Sequence, residues 1–567
     1  MERPNAWKGY TDSQLAELDG LCARYTDFIS ENKTERECCA AAVKLAEAAG
    51  YLPLEGCIAQ GKKLAAGDKV YTTAYGKTLL LVHLGTKPLQ EGLNILGAHI
   101  DSPRLDVKQN PLDETNEIAR LDTHYYGGIK KYQWVAMPLA LHGVVSLQNG
   151  TNVEVCVGED PADPVLYISD LLPHLGQDQM AKKASEVIEG EMLDVIVGNR
   201  PLVVKPAEGE AAEKAEEPKD PVAKNVLAIL ADKYGIEEED LVSAELEVVP
   251  AGRARDCGLD RSMIAGYGHD DRVCAYPSLL AQLDTDTPAR TSVTLLVDKE
   301  EIGSVGATGM TSRFFENAMA EVLALAGEPG DLPLRRCLAR SWMLSSDVSA
   351  AFDPSFASVF ESKNACYLGH GLTFNKFTGS RGKSGSNDAN AEYVARIRRI
   401  MNEGGVFFQT AELGKVDIGG GGTIAYILAE YGMQVIDCGV PVLSAGVPVV
   451  SDGGCSDAVR SAVESSAGVA VGGKTGLSAL VTAAMFFIAM FLSPIASLIP
   501  ACAYAAALIY VGILMIGCVK NIDWNDPSYA LPAFLTMAMM PFAYNISYGI
   551  AFGLISYIAV RLFSGRA

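Results

Sequence analysis

Apolar and polar positions alternate along this chain in three regimes. From 12 to 50 the apolar residues recur at helical spacing, with Thr11-Asp12 as an N-cap and Leu15, Leu18, Leu21 and Cys22 on one face. Short apolar runs follow, TLLLVH at 78–83 and LNIL at 93–96, and these read as strands. TSVTLLV at 291–297 is another, ending in Asp298-Lys-Glu-Glu301, and WMLS at 342–345 leads into Asp347. Strands interleaved with helical stretches predict an α/β domain. Between about 103 and 249 the pattern changes to hairpin-like strands, near 143–147 and 153–157, which predicts an inserted β-rich domain. The charged stretch from 205 to 224 has few apolar residues and is expected to be a mobile surface loop.

The third regime is the tail. Neither 475–519 nor 527–560 carries a charged side chain. A bilayer core needs about 20 mostly apolar residues per helix, so each run is long enough for a helical hairpin. Four helices are expected, near 477–493, 501–518, 531–540 and 544–562, punctuated by Pro494, Pro500 and Pro541. Two hairpins would leave Lys474, Lys520, Arg561 and Arg566 on one side, the cytoplasmic one. The fold class expected is therefore α/β with an inserted β-rich domain, plus a C-terminal all-α transmembrane segment. The domains run 1–103 with 250–444, then 104–249 as the insert, 445–462 as a linker and 463–567 as the membrane part. The body would lie at the membrane on the cytoplasmic side, or be soluble in the cytoplasm if the tail is an artefact.

A formal net charge of −22 excludes nucleic acid as a partner, because phosphate binding needs a basic surface. Thirteen cysteines without a CxxC pair read as reduced, mostly buried thiols. The N-terminus, MERPNAWKGYTDSQ, has no apolar core and is not a secretory signal.

Four patches carry chemistry: Gly97-Ala-His99-Ile-Asp101, Gly268-His-Asp270-Asp271-Arg272, Asp298-Lys-Glu300-Glu301-Ile-Gly303 and Ser345-Ser-Asp347. Each sets imidazole or carboxylate just after an apolar run. Zinc and manganese take such ligands, and the carboxyl ends of strands are where open α/β sheets place their sites. Of two adjacent glutamates, one can ligate while its neighbour takes a proton. Taken together, the four patches predict a two-metal hydrolase.

GAHIDSPRLD, HYYGGIKKYQW, SAELEVVPAGRARDCGLDRSMIAGYGHDDRVCAY, DKEEIGSVGATGM, FTGSRGKSGSNDANAEY and ELGKVDIGGGGTIAYILAEYGMQVIDCGVPVLS resemble the bacterial branch of the M18 aspartyl-aminopeptidase family over residues 1–444. The resemblance implies a dinuclear zinc site, a peptide substrate cleaved at its N-terminus (an acidic one in the best-known members), and homo-oligomers built through the inserted domain. It implies that His99 and Asp347 hold one zinc and Glu301 the other, with Asp270 bridging. Asp101 would orient His99, and Glu300 would be the general base. The sequence leaves Asp270 and Asp271 unseparated as the bridge, and His269 is expected to pack locally. Lys415 and Arg381 are candidates to hold an acidic substrate side chain, alongside the alternative that they form structural ion pairs.

The family pattern breaks at one place. After CGVPVLS the family continues into Met-His-Ala-Pro, whereas here Ser444 is followed by Ala445-Gly-Val-Pro448, and no histidine follows His370. The second zinc site would lack its imidazole, so an impaired site is expected. The final hundred residues or so resemble the last part of the guanine/hypoxanthine (AzgA-like) nucleobase permeases, with Glu464 at the position of a glutamate in a broken-helix element. Both halves are cut inside functional elements, which favours a chimaeric join over a natural fusion. Two further possibilities stand beside the peptidase: a permease-derived membrane protein with a soluble scaffold, and a non-catalytic assembly subunit.

Overall fold

The structure is a computed structural model that describes residues 4–203, 219–443, 453–454, 531 and 534. The chain divides into two compact units, Met1–Ala470 and Val471–Ala567. Of the second, only Leu531 and Phe534 are described. The four expected membrane helices and Glu464 therefore lie outside the described residues, apart from those two positions. Among the described residues no helix is long and apolar enough to cross a membrane. Residues 204–218, most of the expected charged loop, are outside them too.

The first unit is organised by a nine-stranded sheet. Its order is Leu52–Pro53, Lys69–Ala74, Thr78–His83, Ser292–Val297, Asn94–His99, Trp342–Ser346, Gln434–Gly439, Leu372–Asn375 and Phe408–Thr410. The four strands from Ser292–Val297 to Gln434–Gly439 run parallel, with Val297 beside His99 and Gly97 beside Ser345. Their carboxyl ends therefore open on one edge.

Strands buried on both faces read as unbroken apolar runs, and TLLLVH shows why. Leu80 and Val82 enter one core with Phe315, Met319 and Leu338, while Leu79 and Leu81 enter another with Tyr25, Val273 and Leu279. Helices cover both faces, among them Asp12–Glu31, Glu35–Ala48 and His269–Asp284 on one, and Phe314–Leu325 and Asp331–Ala339 on the other.

The periodic stretch 12–50 forms two helices rather than one, each opened by a capping box, Thr11 with Gln14 and Thr34 with Glu37. The break between them buries Lys33, whose ammonium donates to the carbonyls of Pro250 (2.6 Å) and Gly252 (2.8 Å) and pairs with Glu159 at 2.7 Å. A buried charge must be paired and hydrogen-bonded, so the helix yields to that anchor.

A second, six-stranded sheet is antiparallel between all neighbours, in the order Asn152–Val157, Leu139–Ser146, Ala244–Pro250, Arg104–Thr115, Ile118–Tyr126 and Val195–Gly198. Its core gathers Leu105, Trp134, Leu141, Val155 and Val248. The charged stretch ends earlier than its composition implies. Helix Pro221–Tyr234 begins inside it, because Val222 and Ala223 bury against Ala119 and their amides donate to Glu114.

A third sheet joins Arg255–Cys257, Met263–Ala265, Gly453–Gly454, Pro441–Leu443 and Ser349–Ala350. Within the 445–462 segment expected to be a linker, Gly453–Gly454 thus pairs with Ile264-Ala265 and Val442-Leu443.

Candidate metal centre

His99 closes strand Asn94–His99, Asp347 follows strand Trp342–Ser346, and Asp270 is the second residue of helix His269–Asp284. One ligand atom from each lies within 4.8 Å of the other two. The strand beside Asp347 can approach only because residue 439 is glycine. A Cβ there would sit 1.6 Å from the Asp347 carbonyl oxygen.

His99 is fixed at both ring nitrogens. Nε2 is 3.1 Å from Asp270 Oδ1, and Nδ1 lies 3.0 Å from the Asp101 carbonyl and 3.2 Å from Asp101 Oδ1. Asp101 is wholly buried and accepts from the amides of Glu300 (3.1 Å) and Glu301 (3.2 Å) and from the Tyr126 hydroxyl (2.9 Å). Burial opposes its ionisation, but His99, Tyr126 and Arg104 together hold its carboxyl below the usual range. A carboxylate behind an imidazole fixes the ring and raises its basicity as a ligand.

The two adjacent aspartates separate cleanly. Asp270 faces a cavity of about 840 Å³, whereas Asp271 is fully buried, and neither of its oxygens accepts a hydrogen bond beyond a weak contact with the Cys274 thiol. Glu300 and Glu301 form a short 3-10 turn beyond strand Ser292–Val297 and line the same cavity. Glu300 Oε2 is 4.0 Å from His99 Nε2. Glu301 is not one of the three converging groups, although its side chain lies against Gly127, where a Cβ would come within 3.2 Å. His269 packs locally: its Nδ1 is 2.9 Å from the Tyr25 hydroxyl, and burial lowers its pKa to about 4.

Burial sets the electrostatics first, and like charge adds to it. Burial, then Asp270 and Asp101, push Glu300 up to about 7 despite His99. Burial together with neighbouring carboxylates also raises Asp347, Asp271 and Glu301 well above the ordinary range. An imidazole and carboxylates, converging and short of counter-charge, are the donor set that zinc takes. The residues therefore fit a zinc ion.

Neither expected substrate cation lines the cavity. Lys415 and Arg381 are both exposed, and neither side chain forms part of its wall, although Gly414 beside Lys415 does. Among the described residues the one cation that does line it is Lys130. Sequence reasoning missed Lys130 and Tyr126, although both stand in the quoted motif HYYGGIKKYQW. It also missed Asp437, a buried cavity-wall acid that accepts from Thr423 at 2.5 Å and is raised by burial to about 7. No local pattern marked any of the three.

The chain matches the family model "Aminopeptidase I zinc metalloprotease (M18)" over residues 28–448. It is 58% identical over 438 residues to the probable M18 family aminopeptidase 1 of Clostridium acetobutylicum, which covers 77% of this chain and 92% of that protein. The crystal structure of the M18 aminopeptidase from Thermotoga maritima superposes with a TM-score of 0.75 at 42% identity, covering 82% of this chain and 98% of that one. The chain belongs to the M18 family and is a zinc metallo-aminopeptidase. A separate stretch of 111 residues is 46% identical to the adenine permease AdeP of Escherichia coli, taking in 20% of this chain and 25% of the permease.

Protons and zinc compete for this cluster. Carboxyls raised in the folded state lend the metal-free protein stability at acid pH and withdraw it as pH climbs, for Glu300 between about 4.5 and 7. Zinc uptake releases those protons. The thermal-shift gain from saturating zinc should thus grow steadily from pH 5 to pH 7.5, approaching about 2.7 kcal/mol at a hundredfold excess over Kd. A gain that stays flat over that range would contradict the competition.

Proposed function

We propose that this chain removes acidic residues from peptide N-termini, at a centre whose second metal position lacks a ligand. The observation that carries the reading is the convergence of His99, Asp270 and Asp347 beneath Glu300 at the carboxyl edge of the parallel strands. His99 and Asp347 would hold one zinc, Asp270 would reach both positions, and Glu301 would serve the second. Bound zinc would supply Lewis acidity toward a peptide carbonyl and lower the pKa of water.

The chain's own groups do the rest. Asp101 holds His99 with Nε2 forward. Glu300, poised near neutrality by burial, takes up a proton and can return it to the departing amine. The cavity of about 840 Å³ accommodates the first residues of a peptide, and Lys130 offers the positive charge that an acidic side chain needs.

The second position has Asp270 and Glu301 but no imidazole, since no histidine follows His370. Loss of a residue that merely supports a ligand typically costs about 10–100-fold in affinity or activity, and loss of the ligand itself costs more. For assembly and location we place oligomer contacts on the six-stranded-sheet region, where Val165, Leu171, Leu172, Leu175 and Met180 are exposed. Yeast mApe1, which shares the fold at 20% identity, is described as a dodecamer. The tail that resembles a quarter of a permease would tether the body to the cytoplasmic face of a membrane.

Metal analysis of the full chain should find about one tightly bound zinc and feeble hydrolysis of an aspartyl anilide. Gly446→His, which restores the family's imidazole, should add a second zinc and raise kcat at least about 100-fold. Two tight zincs with brisk turnover in the unaltered chain would overturn the impairment. In the Gly446→His background, Lys130→Ala should lower kcat/KM for aspartyl relative to leucyl substrates about tenfold, or 1.4 kcal/mol. An unchanged ratio would remove Lys130 from specificity. Finally, the full chain should stay in the pellet after a carbonate wash and sediment as more than a monomer in detergent; release by carbonate or a monomeric mass would refute tether or assembly respectively.

A further inference from the structure

The last residue of one strand of the six-stranded sheet and the glycine that follows it reach the metal centre. Tyr126 ends strand Ile118–Tyr126, and its hydroxyl donates to Asp101 Oδ2 at 2.9 Å. Gly127, at φ +76°, turns the chain directly against Glu301. The tyrosine is itself immobilised. It is buried and pairs in register with Arg104, whose guanidinium carbon lies 3.9 Å from the centre of its ring. Arg104 is in turn held by Glu35 at 3.3 Å, Asp106 at 2.8 Å and Glu247 at 3.1 Å. Glu35 comes from an N-terminal helix, Asp106 from Arg104's own strand and Glu247 from the strand beside it.

Asp101 has little other support at that oxygen. Oδ1 serves His99 Nδ1 and the Glu300 amide, and Oδ2 receives only the Glu301 amide and the Tyr126 hydroxyl. Without the hydroxyl, Oδ2 would keep one donor, and the carboxylate could swing about its bond to Cβ. His99 would then lose the plane in which Asp101 holds it.

We propose that Tyr126 is a positioning residue of the metal centre: carried by the six-stranded sheet and clamped by Arg104, it fixes Asp101 so that Asp101 aims His99 Nε2 at the metal. Zinc affinity is thereby coupled to correct seating of the six-stranded sheet on the catalytic sheet. The inference rests on the zinc reading of His99, Asp270 and Asp347 given above.

A double-mutant cycle on the full chain tests it, with zinc affinity read by competition against a chromogenic chelator. Tyr126→Phe removes one oxygen and keeps the ring under Arg104. It should weaken zinc about tenfold, within the 10–100-fold usual for such partners. In an Asp101→Asn background the same change should cost less than about twofold, because residues that act through one another are not additive. Cobalt substituted for zinc should show an altered visible spectrum in Tyr126→Phe, a change that general destabilisation does not produce. Equal losses in both backgrounds, or no loss in the first, would overturn the proposal while leaving the zinc reading intact. Absence of zinc binding by the unaltered chain would instead bring down the zinc reading, and this inference with it. Should Tyr126→Phe fail to fold, Arg104→Lys, which keeps the charge but loses the planar contact with the ring, should give a smaller loss of zinc affinity in the same direction, and unchanged affinity there would count against the clamp.

Discussion

Buried like charge is the constraint on which the rest of this molecule depends. Asp270, Asp271, Glu300, Glu301 and Asp347 crowd one end of the sheet around a single imidazole. Removing even one ionised carboxylate from water costs several kcal/mol unless it is compensated. Without a cation the cluster must hold protons, and with one it becomes a centre that binds and polarises. Surrounding structure serves to hold these groups together against their repulsion.

The parallel sheet does this by register. Val297 beside His99, and Ser345 beside Gly97, bring three strand ends level, so that residues far apart in sequence meet at one edge. Interior strands covered by helices on both faces leave little room for the ends to relax. The six-stranded sheet adds a brace from the other side, through Tyr126 to Asp101 and Gly127 to Glu301. Ion pairs link it to the N-terminal helices, Arg104 with Glu35 and Lys33 with Glu159. Such buried pairs contribute little net stability but cost several kcal/mol when one partner is removed, which suits them to fixing one arrangement.

At one position near the end of the peptidase body the local sequence departs from the pattern of the resemblance. The family model extends to residue 448, across the place where the resemblance calls for a histidine and glycine stands. The three converging groups, His99, Asp270 and Asp347, make a donor set that a metal ion can take. The permease-like segment matches only a quarter of its relative.

Helix and strand positions were legible because periodicity is local: TLLLVH announces a strand, and Thr11-Asp12 announces a helix start. Ligand types were legible too, since imidazole and carboxylate after apolar runs leave few other uses. Other features needed three dimensions. Asp270 and Asp271 are chemically identical, and only backbone direction turns one to the cavity and the other inward. Lys130 reaches the cavity while Lys415 and Arg381 do not, because loop paths carry no periodic signal. Tyr126 meets Asp101 only after a second sheet has docked. By itself the sequence determined which groups could bind metal and which segments would be strands. Tertiary structure decided which of those groups converge, because convergence is a matter of register between distant segments.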